Sequence, residues 1–451
     1  MRHCLIIILA VVFGGLGEGR RAMATPEVPG AAQQRPIALV GGTVHPVSGP
    51  VIENATLLFQ DGKIVAVGRE VAVPADAERV DIAGKHVYPG LIDANTQLGL
   101  VEIPSVRGSR DQAETGDINP NVKAQVAFNP DSELIPVGRS GGVLSVLTVP
   151  SGGLITGLSA CMQLDGWTWE DMCLKPDVGM HISWPRMAPV EAALSEPGEA
   201  PAGRDRDKAL KTIRRAVVDA RAYLAAKRAQ QSSGAAAPEF DIRWEAMIPV
   251  LEKKIPVFVD AEDIQQIQSA VAFAEQEGLR LVIVGGYDAP ECIDLLKKNA
   301  VPVIVGGVHR LPRRRMDAYD APFTVPARLQ AAGVPFCIAG VIGGASGSLP
   351  SNLRNLPYHA GTAAAHGLPA EEALKAITIY PAQILGVADR VGTLDAGKDA
   401  TLIVTSGDPL EIPTQVTAAY IQGRTVQLTD RHKRLWEKYK EKYRRQGIKN
   451  P

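Results

Sequence analysis

The feature that most constrains this chain is an alternation that begins after Pro89 and Gly90. Apolar, strand-like runs at residues 142–149, 255–259, 281–284, 301–305 and 334–338 take turns with longer amphipathic stretches such as 264–277 and 290–298. Strands separated by helices of this length cannot turn back on themselves as hairpins, so they build parallel βαβ units. The alternation fits an α/β protein with a closed (β/α)8, TIM-like barrel. An open doubly wound sheet stays as the alternative, because spacing alone does not separate the two.

Both ends of the chain have a finer grain. Residues 38–40, 55–59, 63–67 and 79–82 are short β-rich runs divided by Gly41-Gly42, Asp61-Gly62 and Pro74-Ala75-Asp76, and residues 401–404, 418–421 and 425–428 return to the same pattern. Closely spaced strands with turn signals make a small β-sandwich, here expected to be formed by both chain ends. The expected organisation is therefore a sandwich part at 36–87, the barrel at 88–389 and a second sandwich part at 390–428. Residues 203–231, highly charged with apolar spacing near three and four, read as a helical insertion over the barrel, followed by a flexible stretch at 232–237. The tail, 429–451, is a basic helix with Leu435, Trp436, Tyr439 and Tyr443 at helical spacing. A solvated helix docked by its aromatic side is the expectation there, with a membrane- or partner-binding helix as the alternative.

The chain has 451 residues, 48 Lys and Arg against 49 Asp and Glu, and a formal charge of -1. That balance gives no electrostatic bias toward nucleic acid, so none is expected as a partner. Met1, Arg2 and His3 precede an apolar run over residues 5–16 and the small-residue site Ala22-Met23-Ala24, which reads as a signal peptide over 1–24. The run is too short to span a bilayer. The mature chain is thus expected in the periplasm or outside the cell, with no stable membrane anchor after cleavage and oligomer formation left open. Cys161, Cys173, Cys292 and Cys337 show no CxxC spacing, which excludes a zinc ribbon. Cys161 and Cys173 either close a short loop across Asp165-Gly166 or pack as small buried hydrophobes.

Three further segments resemble the amidohydrolase superfamily, in its imidazolonepropionase-like and dipeptidase-like branch. Leu39-Val40-Gly41-Gly42-Thr43-Val44 opens the sandwich, Val87-Tyr88-Pro89-Gly90-Leu91-Ile92-Asp93 enters the barrel, and Ala376-Ile377-Thr378-Ile379-Tyr380-Pro381-Ala382 with residues 392–402 leaves it. Together, in this order, they are specific; each alone is weak. The resemblance implies a hydrolase of carbon-nitrogen bonds using zinc or another divalent metal, which lowers the pKa of bound water to about 7 and polarises the substrate oxygen.

Carried over residue by residue, the family's metal ligands are mostly missing. Its x-His-x-His segment on the first strand is Ala94-Asn95-Thr96-Gln97 here, so Asn95 and Gln97 occupy the ligand places. The fourth strand offers His181, and the fifth puts Asp260 where a His is expected. The sixth has Gly285 in place of His, and the eighth has Val341 where the family keeps its metal-binding, proton-shuttling Asp. Only His181 and Asp260 have metal-binding side chains, whereas a catalytic zinc site uses about three protein ligands plus water. No resident cofactor is therefore expected, and a pseudoenzyme that binds a small molecule or partner at the barrel mouth is the favoured reading. The alternative is an active amidohydrolase with a non-standard mononuclear site around His181, Asp260 and Glu262.

The glycine-rich stretch Ser151-Gly152-Gly153 is a tight turn or an anion nest without the Lys of a phosphate loop, and Ser151 is not in a nucleophile elbow. His309, ahead of Arg310, Arg313, Arg314 and Arg315, is expected to line the mouth with Arg310 and Glu262, where the arginines either grip an anionic group or are solvated. Trp167 and Trp169 are expected near the same rim, as a stacking surface or as packing for the inserted helix.

Overall fold

The structure, a computed structural model, describes residues 28–187, 202–340 and 350–448. The expected signal peptide at 1–24 and the ligand position Val341 lie outside the described residues.

The chain opens with β1 (Ile37–Val44), β2 (Ile52–Gln60), β3 (Lys63–Gly68), β4 (Glu78–Asp81) and β5 (His86–Pro89). It continues through β6 (Leu91–Thr96), β7 (Val143–Thr148), β8 (Ile155–Gln163), β9 (Cys173–Ser183), β10 (Val257–Ala261), β11 (Leu281–Gly285), β12 (Val303–Val305) and β13 (Phe336–Ile338). It ends with β14 (Leu402–Thr405), β15 (Val416–Ile421) and β16 (Arg424–Thr425).

Strands β6 to β13 form one eight-stranded sheet in chain order. Its two edges approach through residues 376 and 377: Ile338 N donates to Ala376 O at 2.9 Å and Ile92 N to Ile377 O at 2.9 Å. The sheet is therefore a nearly closed, TIM-like barrel. Side chains sort by strand parity. Ile92, Leu147, Phe258, Val282, Val284, Ile304 and Cys337 fill the interior, while Val257, Val259, Ile283, Val303 and Val305 pack outward among the helices.

One part departs from the parallel pattern. β8 runs antiparallel to both β7 and β9, while the other adjacent pairs in the barrel are parallel. Every residue of β8 is buried, so its sequence carries no in-out alternation that marks a strand and its direction. The reversal carries the segment after β8 to the foot of the barrel, where Leu164 N donates to Leu144 O near the start of β7. Trp167, 68% exposed, and Trp169 therefore lie at the end opposite the mouth, which corrects the placement expected for them. Cys161, Cys173, Cys292 and Cys337 are free thiols, so the loop-closing bridge is not formed.

The remaining strands, from both chain ends, join one sheet ordered β16-β15-β14-β5-β1-β2-β3, with β4 added beside β1. The join is β14 on β5, with Leu402 opposite Pro89. This sheet curls around its own apolar cluster, bringing the rings of Phe59 on β2 and Tyr420 on β15 to 5.0 Å centroid separation. Asp165, buried at the foot of the barrel, ties the parts together: it accepts from Gly30 N, from Arg139 Nη1 at 3.3 Å and from Arg424 Nε at 3.1 Å.

The helix Ala202–Ser233 buries Ile213, Ala216, Val217 and Ala220 against the main core. The basic tail helix, Arg431–Arg445, buries no residue, so the expected docking of its aromatic side does not occur. Among the described residues no helix is long and apolar enough to cross a membrane.

Candidate functional site

The C-terminal ends of barrel strands converge on one mouth, where TIM-like barrels carry their chemistry. β9 brings His181, β10 brings Asp260 and then Glu262, β11 ends at Gly285, β12 leads into His309 and Arg310, and β6 brings Asp93 and Asn95.

His181 lies opposite Phe258 in the β9–β10 ladder, and the two rings stack with centroids 4.8 Å apart. Its Nε2 is buried with no hydrogen-bond partner, and burial pushes its pKa down to about 3. The ring is therefore neutral at physiological pH. Asp260 stands two pairs nearer the mouth, opposite Ser183. Burial, with the nearby Glu262 charge adding to it, raises its carboxyl to about 7.

Glu262 is already engaged. Its carboxylate accepts from Arg310 Nη1 at 3.0 and 3.1 Å and from Tyr287 N at 3.2 Å, with Arg313 Nη1 at 3.5 Å. Both guanidinium groups also lie over the Tyr287 ring, at 5.2 and 5.8 Å. Arg314 pairs with Asp288 and Asp317. The basic cluster thus grips carboxylates, but those of the protein itself.

Gly285 explains why this is sterically allowed. Its φ is +99°, and a Cβ built there would lie 2.9 Å from Cδ and Oε1 of Glu262. The space beside Gly285 is filled by the Glu262 carboxylate.

Two residues of the mouth were not singled out from the sequence. His359, on the helix Leu356–Ala365, is buried within 4.2 Å of the His309 ring, centroid to centroid. Its Nδ1 accepts from His309 N at 3.3 Å, and its ring fills the space over Gly307, where a Cβ would come within 3.0 Å of it. Burial, reinforced by His309, lowers its pKa to about 3. His309 Nε2 meets Thr362 Oγ1 at 2.7 Å. Asp93, fully buried, accepts from Asn95 N at 3.0 Å and from Gly340 N at 3.1 Å, joining β6 to the segment after β13; burial raises its carboxyl to about 7. A lone acid inside the apolar run 91–94 is the signal that could have found Asp93; a single histidine on a short helix gave none for His359.

The donors among the described residues do not fit a resident metal. Among the described residues no group of three or more His, Cys, Asp or Glu is placed to hold an ion. His181 and Asp260 are on adjacent strands, but Glu262 turns its carboxylate to arginine. A cavity of about 820 Å³, lined by Pro256, Leu281, Val301, Pro335, Phe336 and Tyr380, opens at the foot of the barrel. It shares no residue with the mouth, so the strand ends remain the candidate site.

Residues 310–428 match the model of the Amidohydrolase family. The crystal structure of an amidohydrolase from Thermotoga maritima MSB8 is 30% identical, covers 87% of this chain and 99% of its own, and superposes with a TM-score of 0.76. The chain belongs to the amidohydrolase family. Amidohydrolase tasK of Hapsidospora irregularis is 24% identical over 89% of this chain, which spans 42% of that longer protein. Imidazolonepropionase of Thermoplasma acidophilum is 26% identical over 79% of this chain and 83% of its own length. The family is typically metal-dependent, which sets its usual chemistry apart from the donor set at this mouth.

Proposed function

We propose that this protein is an exported, metal-free amidohydrolase whose barrel mouth binds a small neutral ligand and no longer hydrolyses amides. The observation that carries the reading is the exchange at β11: Gly285 removes a ligand, and Glu262, clamped by Arg310, takes its space. Asn95 and Gln97 add to it, because neutral amides are poor ligands for zinc. The unpartnered His181 Nε2 and the Asp260 carboxyl offer a ligand two hydrogen-bonding groups at the top of an apolar barrel. A pocket of that kind suits a small uncharged molecule with polar groups at one end.

The other reading is an active hydrolase with a mononuclear centre on His181, Asp260 and Glu262. The orphaned His181 nitrogen favours it; the engagement of Glu262 opposes it, since freeing that carboxylate would leave Arg310 and Arg313 unpaired. The two readings separate in an assay of dipeptide and cyclic-amide hydrolysis by the full mature chain, with zinc added and then removed by chelator. No zinc-dependent turnover is expected. Turnover that appears with zinc and disappears with chelator would favour the mononuclear centre instead.

A further inference from the structure

The tail helix Arg431–Arg445 is securely placed at one end and bare along the rest. Asp430 caps it by accepting from Lys433 N and is itself held by Ser140 Oγ at 2.7 Å, while Arg434 pairs with Glu133. Beyond this first turn the helix covers no core, and Leu435, Trp436 and Tyr439 are 39%, 53% and 47% exposed. Isolated exposed apolar residues need no explanation, but these are not scattered.

At about 100° per residue, Leu435, Tyr439, Tyr443 and Trp436 fall on one stripe about 100° wide. Arg431 and Lys442 flank it on one side, Lys440 and Lys433 on the other. Glu437 and Glu441 fall on the opposite face. The helix carries eight Lys and Arg against two Glu, within a chain whose charges nearly balance as a whole. Lysines lie along the rim of the aromatic stripe: Lys440 is 5.8 Å from the Trp436 ring, and Lys442 is 5.9 and 5.8 Å from those of Tyr439 and Tyr443.

We propose that this helix docks the protein on an anionic lipid surface, with Leu435, Trp436, Tyr439 and Tyr443 entering the headgroup region and the flanking cations meeting lipid phosphates. Charge complementarity selects this occupant. A second copy of the helix would bring a net six positive charges against six, which repel. Trp and Tyr with an aliphatic residue between cationic flanks match the polarity gradient of a bilayer interface, where an amphipathic ring has one apolar and one wet side. The attachment is peripheral and reversible, and it is separate from the chemistry of the barrel mouth.

The test uses the full mature chain and vesicles of phosphatidylcholine, alone or mixed with phosphatidylglycerol, in co-sedimentation. Binding is expected only to the anionic vesicles, and it should weaken steeply as salt rises from about 50 to about 500 mM. Removing one basic charge, as in Lys442→Gln, should weaken binding about fivefold. Trp436→Ser with Tyr439→Ser should abolish it while far-UV circular dichroism stays unchanged. Equal binding to neutral vesicles, no binding to anionic ones, binding unaffected by the Ser substitutions, or association with duplex DNA in place of vesicles would each overturn the proposal.

Discussion

Glu262 lies where a side chain at Gly285 would have to go: a Cβ on that glycine would come within 2.9 Å of the Glu262 carboxyl carbon. The two positions are therefore coupled, because a side chain at 285 and the Glu262 carboxylate cannot occupy the same space. Gly285→Ala meets both this contact and a φ of +99°, and should cost about 2–4 kcal/mol of stability. In a Glu262→Ala background the contact disappears and only the backbone strain remains, so the cost of the same change should fall to about 1–2 kcal/mol. Urea denaturation of the four members of this cycle measures the coupling, and additive costs would show that the two residues do not compete for space.

His181 gives a prediction in pH. Its folded-state pKa is about 3, against a reference of 6.5. Between these values the unfolded chain binds more protons than the folded one, so this residue makes stability rise with pH through that window and level off above about 6.5. His181→Phe keeps a ring against Phe258 and removes the unpartnered nitrogen. The variant should gain about 1–3 kcal/mol at pH 8 from the lost desolvation penalty, and more near pH 5. Thermal melts at the two pH values check it; a gain that is equal at both would mean that the histidine is not neutral in the fold.

Asp165 joins the N-terminal segment, the barrel and the returning sheet through Gly30, Arg139 and Arg424, and its side chain is 1% exposed. Asp165→Asn leaves two guanidinium groups without their shared counter-charge. A loss of about 3–5 kcal/mol is expected in chemical denaturation. A loss below about 1 kcal/mol would show that the two chain ends are held by apolar packing alone.

Much of this architecture is legible in the residues, for definite reasons. Runs such as 281–284 and 301–305 announce buried parallel strands because they are apolar on both faces, and the strand-rich grain at both ends gives away the shared outer sheet. The same property hid β8: a strand buried on both sides has no alternation, so its antiparallel direction, and with it the place of Trp167 and Trp169, could not be read. The family motif segments were legible because they are identities at fixed positions, and the reading of Asn95, Gln97 and Gly285 as replaced ligands rests on that resemblance. What stands around those positions was not legible. Glu262 and Arg310 are 48 residues apart, and His359 reaches the mouth from a helix beyond the last barrel strand, contacts that only the closed fold creates. The tail helix was legible as amphipathic, but whether its aromatic face is covered depends on its neighbours.

Metal content tests the central claim most directly. The full chain, expressed with zinc and manganese supplied in excess and dialysed without chelator, would be analysed for transition metals beside its His181→Phe variant. With Glu262 committed to Arg310 and with Asn95, Gln97 and Gly285 unable to replace it, both proteins should carry far less than one equivalent. One equivalent retained through dialysis by the parent and lost in the variant would contradict the account.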